Sequence, residues 1–402
     1  MLPAGERHCE QNPDNSRRPE IHLPGHGRNC ESLAWFQVNA LANYSIRVLD
    51  ANSPTDRQYW EELARTAVED DVYYLPCYAR ANEGLEETQA KAIHLTVGDQ
   101  EFLIPFLLRS FCAAGMQDAF TPYGYGGVLL LPGDEPPTHE QIQALFSGLR
   151  EFCRESRLIA FLLRLHPLSE WLGPLRDYLS SLPDVALQRR GSTSAMSLSR
   201  WDNGLGRIRG LGKGRASDLA MASRNLRVSW NSRGSDSRAS HLQIFQQIYS
   251  EAMRRAGADS FFRFPSGYFE RLGALGDRMA IAVAWQGSDP VGGAMFLRGK
   301  RWAHYHLAGS TPSGRQLKAA TFLLNQGAQW ASEAGCELLH LGGGLTEGDS
   351  LATFKRSFGD RLYDYYTLSV LVDLQACRSL CSDPAAPWPY PGLASCSSLQ
   401  PG

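Results

Sequence analysis

The chain has 402 residues, a formal net charge of −2 and a hydrophobic fraction of 43%. This length exceeds that of one ordinary core and suits two domains of roughly 150–180 residues with tails. The longest apolar run, residues 102–108, is far shorter than the ~20 residues of a membrane span. The polar, proline-rich N-terminus lacks the apolar core of a signal peptide. We therefore expect a cytoplasmic protein without a membrane span.

The nine cysteines are scattered along the chain and include no C-x-x-C pair. Such a pattern favours reduced thiols over a disulfide framework or a zinc site. The histidines likewise form no H-x-H motif with an accompanying carboxylate pattern. We expect neither a metal ion nor a bound cofactor.

Both ends of the chain have the composition of tails. Residues 1–43 are rich in Pro, Asn, Arg and Gly without a period, and residues 376–402 are rich in proline. Segments of this kind are predicted to be disordered or loosely attached. The folded part is predicted at 44–375, with a first domain at 44–205 and a second at 206–375.

The folded part alternates helical and strand patterns, and its two halves follow a similar order. In the first half the patterns predict strands at 44–49, 91–97, 101–108 and 158–165 and helices at 57–66 and 138–156, with a hairpin turn at Gly98-Asp99. In the second half they predict helices at 241–254, 269–275 and 319–334 and strands at 279–285, 292–297, 301–307 and 337–341. Mainly antiparallel strands flanked by helices indicate a mixed α/β or α+β fold.

A strongly basic segment joins the two halves. Residues 189–238 contain eleven Lys and Arg residues but only three Asp and no Glu. This excess is suited to the phosphates of a nucleotide or of RNA, although a solvated linker and helix face would have the same composition.

Four segments contain distinctive motifs. The most specific is a GGG…DSL…FKxxFG pattern that comprises Leu341–Gly344, Asp349–Leu351 and Phe354–Gly359. The other three are the YGYGG loop in Thr121–Val128, the run Tyr249–Asp259 with Phe261–Phe264 and Tyr268, and Tyr305–Ser310. Together these segments resemble the FemAB/FemX family of aminoacyl-tRNA-dependent ligases. The resemblance implies two tandem GNAT-like domains, each a twisted, mainly antiparallel sheet flanked by helices, with the active site in the second.

The resemblance implies that Lys355 acts near the transferred acyl group, where a cation could stabilise a developing oxyanion. Phe354 and Phe358 are four residues apart, so they can share one helix face and anchor the turn that carries Lys355. The triple glycine Gly342, Gly343 and Gly344 permits close approach of backbone N–H groups to a ligand. A surface lysine and a tight bend are the alternative interpretations of these residues.

The same resemblance implies which residues contact the acceptor, the molecule that receives the acyl group. Tyr305 corresponds to an acceptor-side tyrosine, while His304 and His306 share the other face of the strand and are candidates for a general base or for structural roles. Arg224 and Arg227, predicted with Asn225 on a short helix, correspond to a segment that contacts phosphates in the family. Further candidates for the same cleft are Arg254, Arg263, Tyr268, Tyr123 and Tyr125.

The acyl donor is predicted from the way in which one loop of this chain differs from the CoA-binding loop of GNAT enzymes. GNAT enzymes hold the CoA pyrophosphate on a Q/R-x-x-G-x-G/A loop, and the matching stretch here, Arg315–Ala320, has Lys318 in place of a glycine. This favours aminoacyl-tRNA as co-substrate, with acyl-CoA as the alternative donor. The acceptor is expected to be the amine of a small molecule, either a peptidoglycan precursor or a natural-product intermediate. We expect a monomer; the alternative of another class is a non-catalytic nucleotide- or RNA-binding protein.

Overall fold

The computed structural model describes residues 36–39, 44–83, 88–111, 116–133, 135–182, 185–231, 235–258, 262–344 and 346–379. These residues belong to one compact unit. Most of the two predicted tails, at 1–35, 40–43 and 380–402, lies outside the described residues.

The first half contains eight strands and four helices among the described residues. The strands are β1 (Phe36–Asn39), β2 (Tyr44–Asp50), β3 (Thr88–Val97), β4 (Gln100–Phe111), β5 (Met116–Phe120), β6 (Leu129–Leu130), β7 (Leu158–Arg164) and β8 (Val185–Ser197). The helices are α1 (Pro54–Thr66), α2 (Pro76–Ala81), α3 (His139–Glu155) and α4 (Arg176–Ser181).

The second half contains eight strands and seven helices among the described residues. Its strands are β9 (Trp201–Asp202), β10 (Arg207–Ile208), β11 (Arg227–Trp230), β12 (Met279–Gln286), β13 (Asp289–Arg298), β14 (Trp302–Ser310), β15 (Leu338–Gly342) and β16 (Arg361–Leu371). Its helices are α5 (Lys213–Asn225), α6 (Ser235–Arg255), α7 (Ser266–Leu272), α8 (Pro312–Gln316), α9 (Ala319–Glu333), α10 (Ser350–Arg356) and α11 (Leu374–Ser379).

Fourteen of the described strands form one sheet in the order β1-β2-β3-β4-β5-β7-β16-β8-β15-β14-β13-β12-β11, with β6 beside β4. All neighbours along this path are antiparallel except two pairs, β5 with β7 and β14 with β15. Each parallel pair is connected through a helix, α3 in the first half and α9 in the second, as parallel pairing requires. The predicted mixed, mainly antiparallel fold with helices against the sheet is confirmed.

The two halves exchange their last strands. β16, from the end of the second half, lies between β7 and β8 of the first half, and β8 in turn pairs with β15. The centre of the sheet is therefore built from both halves. Neither β8 nor β16 is predicted by the sequence patterns.

Local signals fix several elements where they were expected. Helix α3 begins with a capping box, in which Thr138 accepts a hydrogen bond from the N–H of Gln141 and the Gln141 side chain accepts one from Thr138. Its buried face contains Ile142, Leu145 and Leu149, as the helical spacing predicts. The hairpin of β3 and β4 turns at Gly98-Asp99.

Three expectations about elements are corrected. Phe36–Asn39, assigned to the N-terminal tail, pairs with β2, and residues 376–379, assigned to the C-terminal tail, belong to α11, in which Cys377 is fully buried. The short helix expected around 224–227 is the end of a longer one, since α5 runs to Asn225 and Arg227 begins β11. Among the described residues, no helix combines the length and apolar character needed to cross a membrane.

Candidate active site

The strands β14 and β15 separate beside the centre of the sheet. Their parallel ladder runs from Trp302 and Leu338 to His304 and His340, and no further pairs follow among the described residues. β14 continues to Ser310, whereas β15 reaches Gly342 and enters the glycine loop. The carboxyl ends of parallel strands are the usual place for a ligand in open α/β sheets.

The glycine loop brings two polar side chains together. Gly342 has a φ of +75°, and a Cβ built on it would lie 3.1 Å from Tyr125 Oη and 3.3 Å from Lys355 Nζ. Lys355 Nζ donates to the carbonyl of Gly343 at 2.6 Å, and the N–H of Gly343 donates to the Tyr125 oxygen. The loop backbone therefore binds the lysine and the tyrosine side by side.

Helix α10 delivers Lys355 to this loop. Its N-cap, Asp349, accepts hydrogen bonds from the N–H groups of Ala352 at 2.7 Å and Thr346 at 3.1 Å. Gly344 lies against this cap, where a Cβ would overlap the Asp349 carboxylate. Burial lowers the pKa of Lys355 to about 8, and the charge of Asp349 opposes that shift. At neutral pH the side chain is thus mostly an ammonium close to its titration range.

Phe354 anchors α10 from the other side. Its ring packs against Phe358 with centroids 5.2 Å apart, and the Arg215 guanidinium lies 4.8 Å from its centroid. Arg215 Nε also donates to Ser357 Oγ at 2.7 Å. These contacts make Phe354 a positioning residue and hold the basic segment against the helix that carries Lys355.

A buried network of histidines around Asp71 lies behind the loop. His304 Nε2 is 2.7 Å from Asp71 Oδ2, and its Nδ1 is 3.4 Å from His340 Nδ1. His166 Nε2 approaches the same carboxylate oxygen at 3.7 Å. Burial alone would raise the pKa of Asp71, but the charge of His304, the hydrogen bond from His304 and the nearby His166 outweigh it and hold that pKa well below its usual value.

Asp71 is fixed through its neighbour in the chain. The two Nη atoms of Arg278 donate to the Asp70 carboxylate at 2.8 and 2.7 Å. The N–H of Lys300, in the turn between β13 and β14, donates to the Asp70 carbonyl at 2.9 Å. These bonds tie the segment before the 3₁₀ turn Val72–Tyr74 to the strand that carries His304.

The spacing of Asp71, His166 and His304 would admit a metal ion, since their ligand atoms all lie within 4.8 Å of one another. The hydrogen bonds favour a different assignment. His166 Nδ1 accepts a bond from the N–H of Leu168 at 3.2 Å, so its proton is on Nε2, which points toward Asp71. A metal-bound histidine instead donates through its other nitrogen. We therefore assign Asp71 as an anion that receives a hydrogen bond from His304 at 2.7 Å and faces the protonated Nε2 of His166 at 3.7 Å.

His340 ends this network with a free lone pair. Its Nε2 is buried and has no hydrogen-bond partner. Burial, followed by the charges of His304, His166 and Lys355, lowers the pKa of His340 well below its usual value, so the ring is neutral at pH 7. His304 donates through Nε2 to Asp71, so its Nδ1 can accept from His340 Nδ1–H, which leaves the lone pair on His340 Nε2. The Tyr125 ring packs edge-on against this histidine at 4.8 Å.

Comparisons with known proteins agree with this architecture. Residues 213–356 match the family model described as an acetyltransferase (GNAT) domain. The structure of FemX superposes with a TM-score of 0.60 at 12% identity, covering 79% of this chain and 96% of FemX. The chain has the FemX fold. The expected resemblance to the FemAB/FemX group is therefore confirmed for the fold.

Two further solved structures share this fold. One is the C-terminal domain assigned to a lysylphosphatidylglycerol synthetase from Agrobacterium fabrum, with a TM-score of 0.50, 13% identity and coverage of 79% of this chain and 92% of that chain. The other is a conserved protein of unknown function from Bacteroides thetaiotaomicron, with a TM-score of 0.52, 12% identity and coverage of 79% and 97%. A comparison with curated protein sequences gives no significant match.

The FemX fold brings several predicted residues to one face of the sheet. His306 Nε2 lies 2.9 Å from Tyr268 Oη, and the Tyr123 ring lies 5.6 Å from the His306 ring. Burial, followed by the charge of His304, lowers the pKa of His306 to about 3, so this ring is also neutral. These side chains adjoin the Asp71 network through the ring of Tyr73, which is 4.7 Å from that of His304.

Other predicted residues lie elsewhere in the fold. Tyr305 occupies the opposite face of β14, with its ring 5.6 Å from that of Phe296. Arg224 and Arg227 lie beside the edge strand β11, four strands from β15 and so roughly 19 Å away at ~4.8 Å per strand. Arg254 and Arg263 are exposed, and Arg263 donates to the carbonyl of Ala258.

Sequence reasoning did not single out Asp71, His166 or His340. Each had a weak local signal: the Asp70-Asp71 pair before an aromatic run, His166-Pro167 after a buried strand, and His340 two residues before the glycine loop. Their meeting depends on long-range pairing of the strands.

Proposed function

We propose that the chain is an N-acyltransferase that transfers the aminoacyl group of an aminoacyl-tRNA to the amine of a small acceptor. The observation that carries this proposal is the position of Lys355, whose partly buried ammonium is held by the Gly343 carbonyl beside the Tyr125 hydroxyl. The match to a GNAT domain and the FemX fold support acyl transfer.

The chemistry needs no nucleophile from the protein. The acceptor nitrogen attacks the ester carbonyl of the donor, a C–N bond forms and the carbonyl electrons move to oxygen. The Lys355 ammonium stabilises this oxyanion from a partly buried position, where charges interact more strongly than in bulk water. Collapse of the intermediate breaks the bond to the ribose oxygen, which leaves with a proton.

His340 supplies the route for that proton. The amine releases its proton to His340 Nε2, the Nδ1 proton of His340 moves to His304 Nδ1, and the resulting His304 cation faces the Asp71 carboxylate at 2.7 Å. The reverse sequence returns the proton to the leaving oxygen. Because Nε2 is buried, substrate or a water molecule reaches it past the Tyr125 ring.

Two features favour tRNA as the donor. The N–H groups of Arg315, Leu317 and Lys318 are hydrogen-bonded within the chain, and Lys318 has a φ of +61°, so this loop offers few amides to a pyrophosphate. The exposed side chains of Arg207 and Lys213 belong to the basic segment that packs against α10 through Arg215. One feature favours acyl-CoA, namely the first turn of the long helix α9, whose N–H groups are suited to a phosphate.

The test is to incubate the protein with an amine-rich cell extract and either a full set of charged tRNAs or a set of acyl-CoAs, and to detect new amides by mass spectrometry. Product with charged tRNA supports the proposal. Product with acyl-CoA alone assigns the other donor, and ligand binding without any product indicates a non-catalytic protein.

Two variants test the roles of the site. Lys355→Met is expected to lower kcat at least ~10²-fold, the loss typical of one oxyanion donor. His340→Gln is expected to lower kcat by a factor of ~10² or more through loss of the base. Lys300→Met removes an exposed lysine and is the matched control. Near-normal turnover of Lys355→Met, with an unchanged melting temperature, contradicts the proposed role of that lysine.

A further inference from the structure

Two arginines near the centre of the sheet lie on the two strands that flank β16, without an acidic partner among the described residues. Arg164, at the end of β7, is paired in register with Thr367 of β16. Arg190, on β8, donates from Nε to Thr367 Oγ1 at 3.0 Å. Because β16 lies between β7 and β8, the two arginines are close enough for the charge of Arg164 to act on Arg190.

A β-bulge aims Arg190 at this place. Tyr365 of β16 is opposite Gly191, and Tyr366 is opposite Arg189, so Arg190 is the extra residue on β8. A bulge of this kind redirects one side chain of a strand, and bulges are frequent beside functional sites.

The charges are uncompensated within the described part of the chain. Arg164 is 8% exposed, and its guanidinium donates only to the carbonyl of Thr121, at 2.7 Å. No carboxylate among the described residues forms an ion pair with Arg164 or Arg190. Partial desolvation and the charge of Arg164 lower the pKa of Arg190, with Tyr365 acting in the other direction.

The other buried arginine of the first half shows the usual arrangement. Arg109 is 2% exposed and donates to both carboxylate oxygens of Asp118, at 3.0 and 2.6 Å. Buried charges are normally paired in this way, because an unpaired one is costly. Among the described residues Arg109 has such a partner, whereas the buried Arg164 has none and the exposed Arg190 adds a second guanidinium without an ion pair beside it.

The arginine pair is continuous with the candidate active site. The charges of Arg164 and Arg190 act on the Tyr365 hydroxyl, whose pKa burial raises and the two cations lower. The Tyr365 ring lies 5.2 Å from that of Tyr125, which contacts the glycine loop at Gly343. Two aromatic rings therefore connect the arginine pair to Lys355.

We propose that Arg164 and Arg190 form an anion site that binds an acidic group of the acceptor, a carboxylate or a phosphate. The assignment to the acceptor rests on the proposed function, whereas the anion site itself does not. Two guanidinium groups, one buried and one exposed, suit the oxygens of either anion. An acceptor bound there would direct its amine past Tyr365 and Tyr125 toward Lys355, so the substrate class is an amine that carries an acidic group.

The first experiment measures anion binding directly by titration calorimetry with inorganic phosphate and with acetate. Wild-type protein is expected to bind at least one of them, and Arg164→Gln and Arg190→Gln are each expected to weaken it about tenfold or more. Arg190 is exposed, so its variant tests the site even if Arg164→Gln fails to fold. Arg154→Gln, an exposed arginine on α3, is the matched control. Absence of binding to wild type, or equal binding in the arginine variants, overturns the proposal.

The second experiment separates this site from the reaction. Lys355→Met is expected to bind the anion as wild type does while turnover is lost. Acceptors are compared in two pairs, an amino acid with its carboxamide and a phosphorylated amino alcohol with the unphosphorylated one. The pair in which the acidic member has the higher kcat/KM identifies the anion that the site binds. Anion binding without acyl transfer refutes the proposed function and leaves the anion site. Equal kcat/KM within both pairs refutes the assignment to the acceptor and leaves the function.

Discussion

At the scale of single residues, the site depends on a lysine whose charge is costly. Burial disfavours the ammonium form of Lys355, and the Gly343 carbonyl and the more distant Asp349 compensate for it only in part. An ammonium that has no ion pair in the resting protein is stabilised more by a nearby oxyanion than an ammonium that is already paired with a carboxylate would be. The incomplete compensation of the Lys355 charge therefore underlies both its lowered pKa and its proposed role.

The pH dependence of kcat follows from the pKa of about 8 for Lys355. If the ammonium stabilises the oxyanion, kcat is expected to be level near pH 7 and to fall roughly tenfold per unit well above pH 8. The measurement is a pH–rate profile with saturating substrates. Lys355→Arg stays protonated across this range, so any residual activity is expected to lose the falling limb. A rise of kcat through pH 8 contradicts the assignment, because it indicates that a neutral amine acts as a base.

At the scale of elements, α10 and the glycine loop form one unit. The cap Asp349 binds the start of α10 and the loop residue Thr346, while Lys355 binds back to Gly343. The loop and the helix therefore hold each other in place, and a change in the loop is expected to displace Lys355 on the helix.

Gly344→Ala tests this coupling. A Cβ at this position overlaps the Asp349 carboxylate, so the cap has to move. Loss of a cap costs about 1 kcal/mol of unfolding free energy, and a drop in kcat is expected because Lys355 is displaced. Gly214→Ala is the control, since it lies in α5 with open space around its Cβ position, and it is expected to stabilise the protein slightly. Unchanged stability and turnover in Gly344→Ala would contradict the coupling.

Local patterns predicted the elements whose signals are local. The apolar spacing of α3, the turn at Gly98-Asp99 and the patterns of β12 to β14 predict those elements within a few residues. β8 and β16 were missed because their charged and hydroxyl residues resemble a linker, and because their pairing joins segments far apart in the chain. The basic composition around Arg189 and Arg190 is evident from the sequence, whereas the strand that carries them is not.

The candidate site was predictable to the same extent. Lys355 and the glycine loop follow from a compact motif, whereas Asp71, His166 and His340 come from three distant segments that meet through the sheet. Buried polar residues on strands cannot be told from ordinary core residues by sequence period. Arg224 and Arg227 were expected near the acceptor from the resemblance, and the fold places them at the sheet edge.

At the scale of the whole molecule, charge is unevenly distributed although the net charge is only −2. Arg207 and Lys213 are exposed, and neither has a charged partner among the described residues. They belong to the same basic segment as Arg215, which contacts α10. This places a positive surface next to the proposed reaction centre.

The double variant Arg207→Gln/Lys213→Gln tests whether this surface binds tRNA. Affinity for charged tRNA is expected to fall, and the slope of log affinity against log salt to decrease by roughly 1–2, because two phosphate contacts are lost. Filter binding at several salt concentrations provides the measurement. Arg154→Gln is the control for general loss of charge, and an unchanged salt slope in the double variant would remove this surface from the donor site.

The exchanged strands make the two halves interdependent. A chain that ends at residue 360 lacks β16, which lies between β7 and β8, and is expected to lose the cooperative unfolding of both halves. A chain that ends at Ser379 keeps every described element and is the matched control. Thermal unfolding followed by circular dichroism distinguishes the outcomes, and a stable first half in the shorter chain would contradict the expectation.

The central position of β16 also has a consequence for biosynthesis. About 170 residues separate the end of β8 from the end of β16, which at typical translation speeds corresponds to a delay on the order of 10–35 s. During that interval the nascent chain exposes two unpaired strand edges, on β7 and β8, that can recruit other chains. The ribosome-bound intermediate, rather than the finished protein, is thus the form most dependent on chaperones.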